Sequence, residues 1–350
     1  MRRSKAVAMA GAAVASLLAL TACSAGTGVP GTVDAGGGGG SGSTAETVFR
    51  VAFNQPENHP QYIALENMGD RLRERTGGRY DIDVYPNETL GAQRETIELV
   101  QSGTLEMAYV GGPLLENFNP DFVVFNLPFT FDSQDHQRAT TNDPEIVSEL
   151  YSLLDDENIH VLGAFHGGIR SVYNSERPIT TPADLAGMKI RVIESYTNIE
   201  MMQLMGGSGT PMGQGEVYTA IQSGVIEGGE NNELIYANLK HAEVAPYYSY
   251  TRHLMFPDYL IINTAVLEGM SEEHRAIFTE EIGLAIEEEA ELWKREVAVA
   301  TQAAKDAGAQ FNEVDAQAFA AAIRPLVEAK LTTGVVREIH AKVRAAATAG

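Results

Sequence analysis

Among the polar residues of this chain, Arg191 has the setting best suited to chemistry. It follows Ile190 near the end of a short run, Lys189 to Val192, where a strand could project the guanidinium into a cleft and hold a carboxylate in a bidentate pair. Read alone, such an arginine is more often a surface or ion-pair residue. Other chemistry is short of parts. The eight histidines form no HExxH pair and the single cysteine, Cys23, allows no CxxC, so zinc and thiol chemistry lack groups at workable spacing. The paired glycines that start at Gly77, Gly111, Gly167, Gly206 and Gly228 build no phosphate loop, and Gly213-Gln214-Gly215 lacks the third glycine of a dinucleotide fingerprint. Turns and close backbone approach explain them more simply. Gly206-Gly207-Ser208-Gly209 lacks the second flanking glycine of a nucleophile elbow. No acid and base pair can be placed, so neither catalysis nor a cofactor or metal is expected.

The elements that would position such residues alternate. Thr47 to Phe53 and Tyr80 to Tyr85 have strand-like alternation, and Gln61 to Arg75 and Gln93 to Ser102 have helical spacing with a glycine stop nearby. A second unit opens with His160 to Phe165 and Ser171 to Asn174. It continues through Lys189 to Val192, a helix over Thr197 to Met205 and another over Glu216 to Ser223. From Ser271 the pattern is helical, with Phe278, Ile282, Ile286 and Trp293 on one face and glutamates opposite. A further helical stretch is expected near Asp315 to Ala347. The reading is two α/β lobes with one long helix lying across both. The expected boundaries are 46–168 plus 257–296 for the first lobe and 169–256 plus 297–350 for the second.

The N-terminus reads as an export signal over residues 1–22: Arg2, Arg3 and Lys5, then the apolar run Val7 to Leu20, then small residues. Leu20-Thr21-Ala22-Cys23 resembles a lipobox, which makes Cys23 the expected lipidation site and residues 23–45, rich in Gly, Ser and Thr, a flexible tether. The expected location is the cell envelope, on the outer face of the cytoplasmic membrane, held by the lipid alone. A net charge of -22 favours solubility and disfavours nucleic acid as a partner.

Three segments carry a family resemblance: Leu185-Ala186-Gly187-Met188-Lys189-Ile190-Arg191-Val192, Thr210-Pro211-Met212, and Glu216 through Asn231. In order and spacing they resemble the DctP-type solute-binding proteins of TRAP (tripartite ATP-independent periplasmic) transporters. Leu127-Pro128-Phe129 and Gly168 through Asn174 support this, and the resemblance extends over nearly everything after Thr47. It implies a two-lobed, periplasmic-binding-protein-like fold of the type II-like, TRAP kind, with Arg191 as the carboxylate clamp. It further implies supporting roles for Arg170 and Asn231, ligand contacts from Asn54, Glu194 and Gln214, and an acceptor-rich cleft completed by Glu57 and Asn232. Such a cleft suits hydroxyls, which points to a small carboxylated solute of the sugar-acid class. The stretch Gly229 to His253 resembles the branch that binds hexuronates such as glucuronate and galacturonate, with a C4-dicarboxylate or another organic acid as the alternative. Gly111 and Gly112 depart from relatives, which often carry a polar side chain there. The expected partners are membrane subunits of the DctQ and DctM type, and the expected state is a monomer. A secreted sugar-acid enzyme would require the acid and base pair that is missing.

Overall fold

The structure, a computed structural model, describes residues 44–347. The expected signal segment, Cys23 and the glycine run of the tether lie outside the described residues. In chain order the strands are β1 (Thr47–Ala52), β2 (Tyr80–Tyr85), β3 (Met107–Gly111), β4 (Ile159–His166), β5 (Arg170–Asn174), β6 (Lys189–Val192), β7 (Ser208–Pro211), β8 (Gly228–Asn231), β9 (Tyr247–Leu254), β10 (Pro257–Asn263) and β11 (Gln310–Glu313). They form two mixed sheets, ordered β2-β1-β3-β10-β4 and β11-β9-β5-β8-β6-β7. The expected strands over Tyr80–Tyr85 and Lys189–Val192 are present, and the helices expected over Gln61 to Arg75 and Gln93 to Ser102 run over Pro60–Arg75 and Gln93–Gln101.

Each sheet owes its place to burial on both faces. Val51 on β1 pairs with Val84 and Met107, and all three are buried. Such doubly covered, mostly apolar strands need helices on either side, which the βαβ connections supply. In the second sheet β6 lies parallel between β7 and β8, so that Arg191 stands opposite Thr210 on one side and Gly229 on the other.

The helix Glu272–Asp306 runs for 35 residues, about 50 Å at the usual helical rise. Ser271 caps it by accepting from the His274 backbone amide. Phe278, Ile282, Ile286 and Trp293 form its buried face, as their spacing implies. The first half packs on Pro60–Arg75, where Arg71 and Arg75 both bind the buried Glu281, at 2.6 and 2.7 Å. The second half packs on the second-lobe helix Glu233–Asn238, around a cluster of Leu234, Trp293 and Ala300. One helix therefore spans both lobes.

The C-terminal stretch departs from the sequence reading. It is two helices, Ala316–Lys330 and Gly334–Ala346, separated at Leu331 to Thr333, with Thr333 capping the second. Ala316–Lys330 packs on Tyr196–Leu204 and β9 in the second lobe. Gly334–Ala346 instead packs on Pro120–Asn126 and Pro144–Ser152, held by Arg344 to Asp132 at 2.6 Å. Residues 334–346 thus cover the first lobe, because their apolar face (Val336, Ile339, Val343) is needed there. No helix among the described residues is long and apolar enough to cross a membrane.

Candidate ligand-binding site

A cavity lies between the two sheets. Its walls come from the carboxyl ends of β1, β3, β4, β6 and β8 and from the entering ends of the antiparallel β5 and β10. This is where open α/β sheets place their ligands. Chain connections at Gly167 to Ile169 and at Met255 to Phe256 join the lobes along one side. Gly168 adopts φ +82° there, and a Cβ would fall 2.4 Å from the Asn232 amide nitrogen, so this crossing requires glycine.

The second lobe supplies two buried arginines in different states. Arg170 is fully engaged: its Nε donates to Glu230 Oε2 at 2.5 Å and Nη2 to Oε1 at 2.7 Å. Its Nη1 donates to Asn231 Oδ1 at 2.9 Å, and the guanidinium lies 4.8 Å from the centre of the Phe256 ring. Burial alone would raise the Glu230 carboxyl, but the adjoining Arg170 charge prevails and holds it near 2. The pair is neutral overall.

Arg191 has no such partner. It is 3% exposed, and its Nε and Nη2 both donate to the Met212 carbonyl, at 3.0 and 2.9 Å. Its Nη1 makes only a long contact of 3.4 Å to Gln214 Oε1. No carboxylate lies within 4 Å of it among the described residues, although every other guanidinium with comparable burial is paired. Burial, and then the neighbouring Arg170 charge, draw its pKa down. An anion in the cavity would reverse that penalty.

The remaining walls are polar and partly unsatisfied. Gln214 Nε2 and Gln55 Oε1 are buried without a hydrogen-bond partner among the described residues, a condition that native interiors seldom leave unfilled. Gln93 holds the Gly111 amide through Oε1 at 3.0 Å. His59, capping Pro60–Arg75, is kept neutral by burial, its pKa drawn to about 3, so it adds no positive charge. Trp293 stands against His59 and His166 at ring distances of 5.4 and 5.0 Å and, with Phe256, Ile193 and Ile235, supplies the apolar surface.

Of the residues singled out in the sequence, Arg191, Arg170, Asn231, Asn232, Asn54 and Gln214 line the cavity. Asn232 is occupied structurally, its Oδ1 capping Glu233–Asn238 and its Nδ2 donating to the Gly167 carbonyl at 3.0 Å. Glu194 borders an adjoining chamber with Glu88, rather than the main cavity. Glu57 does not reach the cavity. The turn closed by the His59 amide on the Pro56 carbonyl puts Glu57 at its exposed tip and returns His59 inward. Sequence reasoning missed His59, Gln61, Gln93, Asp258 and Trp293. A usable signal existed for Asp258, an acidic residue opening the apolar strand Pro257–Asn263.

The lobes are closed on each other at the far side as well. Glu116 of the first lobe accepts from Ser195 Oγ at 3.2 Å and Thr197 Oγ1 at 2.8 Å, and Asn126 donates to Asn198 Oδ1 at 2.6 Å. Glu88 accepts from the Gly215 amide at 3.1 Å. These contacts hold the two lobes together in this structure.

A two-lobed α/β receptor with a buried, anion-ready cleft is the class these features define. Residues 51–332 match DctP, bacterial extracellular solute-binding protein family 7. A solute-binding protein of Chromohalobacter salexigens is 38% identical over 278 residues, which cover 78% of this chain and 81% of that protein. A TRAP periplasmic solute-binding protein of Anaerococcus prevotii, solved with bound D-glucuronate, is 37% identical with a TM-score of 0.84, over 87% of this chain and 99% of that one. Another, from Xanthobacter autotrophicus with bound β-D-galacturonate, is 32% identical with a TM-score of 0.82, over 85% and 99%. The chain belongs to the DctP family of TRAP solute-binding proteins, and is a transport receptor and not an enzyme.

Proposed function

We propose that this protein is the extracytoplasmic receptor of a TRAP transporter for a hexuronate such as D-glucuronate or D-galacturonate, and that Arg191 anchors the ligand carboxylate. The observation that carries the reading is the buried Arg191 guanidinium in the cavity wall with no carboxylate of its own. Arg170, neutralised by Glu230, positions Asn231 beside it. Asn54, Gln55, Gln214 and Asn231 meet the sugar hydroxyls, while Trp293 and Phe256 face the apolar side of the ring. The uronates bound by the relatives from Anaerococcus and Xanthobacter support the ligand class.

Ligand binding stabilises the closed cleft because contacts to both lobes exist only there, and membrane subunits of the DctQ and DctM type then take up the solute. In this reading the protein works as a monomer without cofactor, and Cys23 carries the lipid that keeps it at the membrane. A thermal-shift screen of uronates, aldonates, C4-dicarboxylates and keto acids tests the ligand assignment. A ligand at a hundred times its Kd adds about 2.7 kcal/mol of stability. Uronates are expected to raise the melting temperature most; a larger shift with dicarboxylates or keto acids overturns the assignment.

A further inference from the structure

Asp258 enters the cavity as the second residue of β10 and is the one carboxylate among the residues that line the main cavity; Glu230 lies behind it, paired with Arg170. Its Oδ2 accepts from Gln61 Nε2 at 2.9 Å, and the same nitrogen donates to the His166 carbonyl, also at 2.9 Å. Its Oδ1 has no hydrogen-bond partner among the described residues. That oxygen lies 3.3 and 3.6 Å from where a Cβ would stand on Gly167 and Gly111, both of which line the cavity. The missing side chains at these two glycines leave Oδ1 open to the cavity. Asp258 is enclosed by protein yet keeps accessible surface, and that surface is cavity wall.

No cation lies within 4 Å of Asp258 among the described residues, and the arginine acting on it from further away, Arg170, is committed to Glu230. Once the Arg170–Glu230 pair is set aside as neutral, the main cavity holds one positive group, Arg191, and one negative group, Asp258. A monocarboxylate with hydroxyls along its length fits that arrangement, its acid on Arg191 and a hydroxyl on the acceptor. A dicarboxylate would set its second charge against Asp258, where no cation stands within 4 Å among the described residues to relieve it.

We propose that Asp258 is a specificity-determining residue: its free carboxylate oxygen accepts a hydrogen bond from a ligand hydroxyl and rejects a second carboxylate at that end of the cavity. The inference rests on the sugar-acid reading and adds which residue enforces it. Burial pushes the carboxyl up to about 6, so it is mostly ionised, and purely an acceptor, at neutral pH. The neighbouring Gln214 Nε2 is a donor that serves either ligand class, and Gln55 is an uncharged amide that can present oxygen or nitrogen, so neither repels a second carboxylate as a charge does.

The test is calorimetric titration at pH 7.5 with D-glucuronate, D-galacturonate and succinate, on the wild type and on Asp258→Asn. The substitution is isosteric, keeps an acceptor for Gln61 and turns the open position into a donor. The variant is expected to lose about tenfold or more in affinity for the preferred uronate without loss for succinate, so that the uronate-to-succinate ratio falls by at least about tenfold. An unchanged ratio, whether neither affinity moves or both fall together, overturns the inference. A wild type that prefers succinate overturns the sugar-acid reading itself, and with it this inference, before any variant is made. Should Asp258→Asn give no cooperative melt, Asp258→Ser is read by the same ratio.

Discussion

Arg170 and Glu230 meet in a bidentate, fully buried pair across β5 and β8, at 2.5 and 2.7 Å, and this pairing leaves Arg191 as the guanidinium free to receive a ligand. The two arginines are therefore expected to fail in different ways. Arg170→Ala strands Glu230 in the interior and should cost about 3–5 kcal/mol of folding stability in urea unfolding. Arg191→Ala removes an unpaired buried charge and should change apo stability by less than about 1.5 kcal/mol, while abolishing measurable binding. Equal destabilisation by both would contradict the division of roles.

Two carboxyls give opposite pH signatures. Asp258, raised from 3.8 to about 6 mainly by burial, holds a proton in the folded state over a window where the unfolded chain has lost it. Its contribution favours folding below pH 4 and is lost as pH rises through 6, to a total of roughly 3 kcal/mol. Asp258→Asn should accordingly gain on the wild type between pH 4 and 7. Glu230 is held near 2, below its ordinary 4.5, by Arg170 against the opposing effect of burial. Its contribution is present above pH 4.5 and is lost as pH falls towards 2. Glu289, buried and raised chiefly by that burial, is pushed further up by the Asp258 charge, so the Asp258→Asn difference reads the two carboxyls together and carries the same sign from both. Urea unfolding of Asp258→Asn and of Glu230→Gln against the wild type, from pH 3 to 7, reads both signs.

Trp293 is the chain's only tryptophan and stands in the cavity wall between His59 and His166. Ligand binding should change its emission, giving a saturable signal with the same Kd as calorimetry. Trp293→Phe should remove the signal and retain binding within about tenfold, since a flat ring remains. A titration with no change in emission would place the ligand elsewhere.

The contacts of Glu116 with Ser195 and Thr197 tie the lobes at the cleft edge opposite the chain crossings. A Ser195→Ala, Thr197→Val double substitution leaves the cavity lining intact but removes both second-lobe donors from Glu116, which keeps only Asn126 of its own lobe. We expect affinity to fall by about tenfold and the unliganded protein to show a larger radius of gyration by X-ray scattering, because a smaller closed fraction lowers apparent affinity in proportion. Unchanged affinity and radius would show that closure does not depend on this edge.

Much of the fold was legible because its signals are local. Alternation located β2 and β6 to the residue, and the spacing of Phe278, Ile282, Ile286 and Trp293 gave the buried face of the long helix. The break at Leu331 to Thr333 was present in the sequence as Thr332-Thr333-Gly334, but nothing local says that the next helix crosses back to the first lobe. That depends on which apolar surface remains uncovered. Second-lobe residues stood out as polar groups at segment ends, and the roles expected of them came from the family resemblance. His59, Gln61 and Gln93 were not, because each also has an ordinary task at a helix start, and only the closing of one lobe on the other gives them a shared cavity. Trp293 was read as core, which it also is.

The central claim is that Arg191 holds the ligand carboxylate, and its most direct test compares D-glucuronate with D-glucose, which lacks that group, on the wild type and on Arg191→Ala. Calorimetry on the four combinations should show the wild type preferring D-glucuronate by at least about a hundredfold, with the preference erased in the variant. A preference that survives the loss of Arg191 would mean that another group binds the carboxylate, and would contradict the account.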